Sequence, residues 1–275
     1  MVTKPQTISR GSGGAVAPSR SRSGFTLIDV LVSIAVIGVL IGILLPSLAS
    51  VNETARRVVC QSNIRQIGLG LIMYADDNKG MLPPTVFLPP AGTAARGGPA
   101  DRPQEMVTVR LAQENVQRNS PAWDGLGYLF ALNYVSAPKV FYCPSHHGDA
   151  PYSRYAKQWS DDGGEIVCNY HFRGEGPVSP SPSAGDAGPT TRELYKIDPA
   201  QSSLLADGLR TRSDYNHKVG VNFFRADLTV HWFADPTSSL STILPVDKNV
   251  STPTAVDNAW HWFDQSAGGL NGQSQ

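Results

Sequence analysis

Residues 25–45 form a run of 21 residues with one formal charge, Asp29, directly after Gly24 and a leader rich in Ser and Gly. At about 1.5 Å of rise per residue, a helix of that length matches the roughly 30 Å hydrocarbon core of a bilayer. The run is therefore read as a membrane span. Inside it Gly38 and Gly42 lie about one turn apart and would let another helix approach closely. A secretory signal peptide shares the basic start but is cut after its apolar stretch, and residues 45–50 match such a site poorly. Here the glycine precedes the run, where a protease at the cytoplasmic membrane face would meet it.

Lys4, Arg10, Arg20 and Arg22 precede the span and no acid does, which predicts a cytoplasmic N-terminus and an exported remainder. The whole chain of 275 residues balances 23 basic against 23 acidic side chains, and loss of the leader leaves a net charge of about −4. No basic patch argues for nucleic acid.

The segment Gly24-Phe25-Thr26-Leu27-Ile28-Asp29-Val30-Leu31-Val32 resembles the prepilin-type cleavage and methylation segment of type IV pilins and type II secretion pseudopilins. The resemblance implies that a prepilin peptidase cuts after Gly24 and methylates Phe25. It also implies assembly with other pilin-like subunits on an inner-membrane platform, into a periplasmic or surface filament. Asp29 stands where that family usually has Glu, keeping the charge and shortening the reach. An ionisable group within a span costs about 2.5–3.5 kcal/mol at the bilayer centre, less near its end, and is functional by default. The resemblance assigns Asp29 to assembly, its carboxylate neutralising the new N-terminal amine of a neighbouring subunit.

Past the span, Pro46 is expected to kink or loosen a helix whose apolar residues (48, 51, 55, 58, 59, 67, 71 and 74) recur mostly at three- and four-residue steps. That helix should end near 78–80, before Leu82-Pro83-Pro84. The chain thus divides into a cleaved leader (1–24), a span (25–45), an amphipathic helix (46–79) and an exported globular domain (80–275). The domain holds all five Trp and eight of the nine Tyr, enough to bury a core. Strands are predicted over 165–172, 203–206, 220–224 and 228–233, the last two as a hairpin through 225–227. A short apolar helix or turn is predicted over 125–134, an extended stretch over 139–144, and Gly/Pro-rich loops near 89–103 and 174–189. The tail after Pro236 reads as loose, apart from Trp260-His261-Trp262-Phe263, which could dock on the core or on a partner. The expected class is α+β, a long N-terminal hydrophobic helix packed on an antiparallel sheet, and the resemblance implies a pilin-like form of it.

Residues 60–69 and 74–78 also resemble a bacterial subgroup of these pilin-like proteins, and His217 followed after nine residues by Asp227 matches that subgroup's His-x9-Asp-Gly signature. Leu228 replaces the glycine, so a turn needing positive φ is expected to differ here. No nucleophile stands beside an oriented base, so His217 and Asp227 are read as ordering a loop and the chain as no enzyme. The competing class is a membrane-anchored exported enzyme or ligand-binding domain with His217 and Asp227 at its site. Cys143 and Cys168, with 24 residues between them, would gain roughly 3 kcal/mol from a disulfide in an oxidising compartment. Two buried thiols are the alternative, and Cys60 is a third candidate partner. Zinc held by Cys143, His146 and His147 is disfavoured because adjacent histidines rarely converge on one metal. Calcium would draw on Asp207, Asp214, Asp227 and Asp235, whose spacing matches no compact calcium loop, so no cofactor is expected.

Overall fold

The computed structural model describes residues 24–89, 101–112, 122–161, 163–178, 190–247, 250 and 253–267. Much of the two predicted Gly/Pro-rich loops and all of the leader before Gly24 lie outside them. The chain forms two units, one ending at Ala49 and one beginning at Ser50. Helix α1 (Leu27–Asp77) starts in the first and runs into the second, continuing through Pro46, whose missing N–H removes one hydrogen bond without ending the helix. In the first unit every described side chain of α1 is exposed. The segment is long and apolar enough to cross a membrane.

The second unit is built on a four-stranded antiparallel sheet of β3 (Tyr170–Phe172), β6 (Ser203–Asp207), β7 (Gly220–Arg225) and β8 (Val230–Ala234), in the order β3-β6-β7-β8. Two small antiparallel pairs flank it: β1 (Thr108–Arg110) with β2 (Ile166–Val167), and β4 (Gly176–Pro177) with β5 (Thr190–Thr191). The α+β class with a long N-terminal helix against an antiparallel sheet is what the sequence predicts.

Side-chain alternation along the strands decides what each face covers. Leu205 and Phe224 join Cys60, Ile64, Ile67 and Leu71 of α1 in one core. Ala206, Val221 and Phe223 point the other way, into a second core with Val256, Trp260 and Phe263. Those last three belong to α5 (Pro253–Ala267); the docking of Trp260 and Phe263 on the core is as expected, whereas the helix around them stands where the sequence reading expected a loose tail. Its apolar residues at 256, 259, 260 and 263 keep helical spacing, and Phe263 stacks on Phe223 at 5.0 Å. Both faces of β6 and β7 are therefore covered, and every residue of both is buried. Helix α1 comes unusually close to the sheet at Gly68, where an added Cβ would sit 2.4 Å from the Phe224 ring.

Local endings follow the residues. Helix α1 closes with Gly80 N donating to Ala75 O at 2.8 Å, while Lys79 and Gly80 take positive φ, a Schellman-type end where the sequence predicted it. The predicted strand 165–172 is split into β2 and β3 by Asn169, whose side chain accepts from Cys143 N and donates to Ala150 O. The predicted helix shortens to α2 (Gly127–Ala131), and the stretch expected as extended begins as a 3-10 turn, Pro138–Phe141, with proline at its start. Short helices α3 (Tyr152–Tyr155) and α4 (Ser239–Ile243) complete the elements.

Candidate functional site

The α1 face of the sheet carries a polar cluster inside an otherwise apolar core. Cys60 comes from α1, Cys143 from just beyond the 3-10 turn, Asp207 from the end of β6 and His217 from the tight turn before β7. All four are buried, and one ligating atom of each lies within 4.8 Å of the others. Alternation explains Asp207, which shares the inner face of β6 with Leu205. Gly220 permits the turn that delivers His217: an added Cβ there would meet the Phe233 carbonyl oxygen at 2.3 Å. The Cys143 loop is pinned by Asn169, whose carbonyl in turn accepts from Asn216 Nδ2 at 3.1 Å.

Within the cluster, Cys60 Sγ donates to Asp207 Oδ1 at 2.8 Å and approaches Tyr170 Oη at 3.3 Å. His217 Nε2 stands 3.6 Å from Cys143 Sγ and 3.7 Å from Asp207 Oδ2. His217 Nδ1 donates to Glu53 Oε1 at 2.7 Å. Asp207 Oδ2 accepts from Asn222 N at 2.7 Å and from Asn222 Nδ2 at 3.2 Å. Trp232 packs edge-on against His217, and the Arg57 guanidinium lies 4.0 Å from the Trp232 ring.

Burial disturbs these groups in opposite directions. It pushes the Cys60 thiol well up and raises the Asp207 carboxyl despite His217 and the hydrogen bonds from Cys60 and Asn222. Burial also opposes ionisation of Cys143, but the Cys60 and His217 contacts outweigh it and hold that thiol below its usual range. Burial disfavours the His217 cation, yet Cys143, Asp207 and Glu53 carry it up to about 9. A cluster of this kind can share protons, oxidise to a disulfide or hold a metal.

The structure separates several residues that the sequence grouped. His217 and Asp227 do not meet, because Asp227 sits in the β7–β8 turn and accepts from Thr229. That turn has the form in which glycine is usual: Leu228 N donates to Arg225 O, Arg225 N to Thr229 O, and Leu228 itself takes φ +70°. The expected departure is corrected, since Leu adopts the left-handed conformation rather than changing the turn. The Cys143–Cys168 bridge is corrected as well: all three cysteines are free. The Cys168 thiol donates to Tyr170 O at 3.2 Å. His146 donates through Nδ1 to Asn216 and accepts at Nε2 from Ala150, so it does not converge with Cys143 and His147. Asp214 bonds Thr211 and Asp235 bonds Tyr215, so Asp207, Asp214, Asp227 and Asp235 do not form one group. Sequence reasoning missed Glu53 and left Cys60 as a spare thiol. Its one available signal was that Cys60 shares the apolar stripe of α1 with Ile64, Ile67 and Leu71.

At the N-terminus, Thr26 and Asp29 form a reciprocal cap. Thr26 N donates to Asp29 Oδ2 at 3.0 Å and Asp29 N to Thr26 Oγ1 at 3.3 Å. With Thr26 just before the helix and Asp29 at its third residue, this is a capping box.

A model described as the prokaryotic N-terminal methylation motif matches residues 19–45. The type II secretion system core protein G of Pseudomonas aeruginosa is 36% identical over 59 residues, which cover 22% of this chain and 42% of that protein. The matched stretch thus spans under half the length of that relative. No solved structure matches. The model described as protein of unknown function (DUF1559) matches residues 49–213, more than half of the chain. The chain belongs to that DUF1559 family, and its N-terminus carries the methylation motif.

Proposed function

We propose that this chain is a structural subunit of a type II secretion or type IV pilus-like filament. A prepilin peptidase cuts the precursor after Gly24 and methylates Phe25. Residues 25–45 hold the subunit in the bacterial inner membrane with the N-terminus cytoplasmic and the globular domain periplasmic. Neighbouring pilin-like subunits, recruited on an inner-membrane platform, pack against that helix, and the chain itself performs no catalysis.

The observation that carries this reading is the methylation motif at 19–45 leading into a helix whose described side chains up to Leu45 are all exposed. Such a surface calls for lipid or other helices. The local likeness to a secretion-system core protein supports the choice of system. The test is the mature terminus: mass spectrometry of protein from a host with a prepilin peptidase should find N-methylated Phe25, and loss of the peptidase should leave the leader attached. A mature chain beginning elsewhere overturns the reading.

A further inference from the structure

We propose that Cys60, Cys143, Asp207 and His217 form a structural zinc site that ties α1 to the sheet. The argument is independent of the filament reading. Four donors of the zinc type converge from four separate places in the fold, within 4.8 Å of one another and all buried. Ligands at ordinary zinc distances in a tetrahedron would lie about 3.5 Å apart. The Cys143 to His217 separation of 3.6 Å and the His217 to Asp207 separation of 3.7 Å match that edge. The shorter Cys60 to Asp207 approach, 2.8 Å, is a thiol hydrogen bond that opens when the thiol proton leaves.

The surroundings orient the donors as a metal requires. Glu53 accepts from His217 Nδ1, which turns the Nε2 lone pair toward the two sulfurs and Asp207, the carboxylate–histidine arrangement of metal-bound imidazoles. Asn222 holds Asp207 through its backbone and side-chain nitrogens, and Tyr170 stands beside Cys60. Two thiolates select a soft cation over calcium or magnesium, and two sulfurs, one nitrogen and one oxygen suit zinc. Four protein ligands in a closed interior leave no position for substrate, so the site is structural. On binding, each thiol still protonated, and Nε2 if protonated, releases its proton to water, and no electron moves.

The full-length chain, purified in detergent from zinc-supplemented cells, should contain one zinc per chain. After chelation and reduction it should take up one equivalent of cobalt(II), with thiolate-to-cobalt charge-transfer absorption and the intense d–d bands of a tetrahedral site. Cys168→Ser should keep both properties, while Cys60→Ser and Cys143→Ser should lose stoichiometric binding. The wild-type cobalt spectrum reports sulfur ligation even where a variant fails to fold. Three results would overturn the proposal: no stoichiometric metal, a cobalt spectrum without thiolate absorption, or a Cys60–Cys143 disulfide in protein that takes up no cobalt after reduction.

Discussion

Glu53 Oε1 accepts a 2.7 Å hydrogen bond from Nδ1 of His217, joining a half-exposed carboxylate near the start of the second unit to an imidazole with 1% of its side chain exposed. The pair spans 164 residues and fixes which nitrogen of His217 faces the cluster. Removing either partner therefore affects the same element. In the metal-free protein Glu53→Ala should cost about 1 kcal/mol, because its carboxylate is partly solvated, and His217→Ala about 1–3 kcal/mol. The double variant should cost less than the sum of the two. Melting of the full-length protein and its three variants in detergent checks this, and strict additivity would show the contact to be idle.

Asp124 gives the pH dependence its sharpest local test. It is buried, accepts from Thr85 Oγ1 and Val86 N at 2.8 Å each, and burial lifts its carboxyl from 3.8 to about 6. The folded state thus holds the proton more tightly than the unfolded chain, so this group's contribution falls as pH rises from about 4 to about 6 and stays low above that. Asn at 124 can still accept from Val86 and can donate to Thr85. Asp124→Asn should therefore be more stable than wild type at pH 7.5, by up to about 3 kcal/mol, with the gap closing by pH 4. A gap that is constant across this range would refute the assignment.

Leu228 occupies a left-handed position and is 42% exposed, so its side chain contributes little packing. That conformation costs a side-chain-bearing residue roughly 1–2 kcal/mol, partly offset in glycine by the extra freedom of the unfolded chain. Leu228→Gly should raise stability by about 1 kcal/mol. A lower melting temperature would mean that the leucine makes an interaction worth more than the strain.

Asp29 has two separable jobs, a cap within its own helix and a charge offered to a neighbour. Asp29→Asn keeps an acceptor for Thr26 N and removes the charge, whereas Asp29→Ala removes both. If pairing between subunits dominates, both variants should insert normally and give fewer crosslinked oligomers. Wild-type crosslinking of Asp29→Asn alongside weak crosslinking of Asp29→Ala would assign the residue to capping alone.

How legible all this was depends on the range of the interaction. The span, the end of α1 and the β7–β8 hairpin are local patterns, written in runs such as 25–45, in Gly80 and in the alternation of 220–224. Helix α5 also had a local signature in Val256, Ala259, Trp260 and Phe263, but its polar flanks disguised it as a tail. The cluster was hidden for a different reason. Cys60, Cys143, Asp207 and His217 have no common spacing, and only the register of β6 against β7 together with the approach of α1 brings them to one point. The spacing of His217 and Asp227 was legible but misleading, since the hairpin places them at opposite ends of a strand.

Cys60 and Asp207 touch across 147 residues of chain, and the α1 face that Cys60 shares with Ile64, Ile67 and Leu71 is covered in part by Leu205 and Phe224. A ribosome delivers α1 first and β7 only in the last quarter of the sequence. Throughout that interval the inner stripe of the helix lacks the cover that Phe224 supplies, and long-range closure of this kind is slow. The nascent chain is thus most vulnerable while β7 is still inside the ribosome, and a truncation before residue 225 would strand a sticky, thiol-bearing helix rather than yield a smaller folded domain.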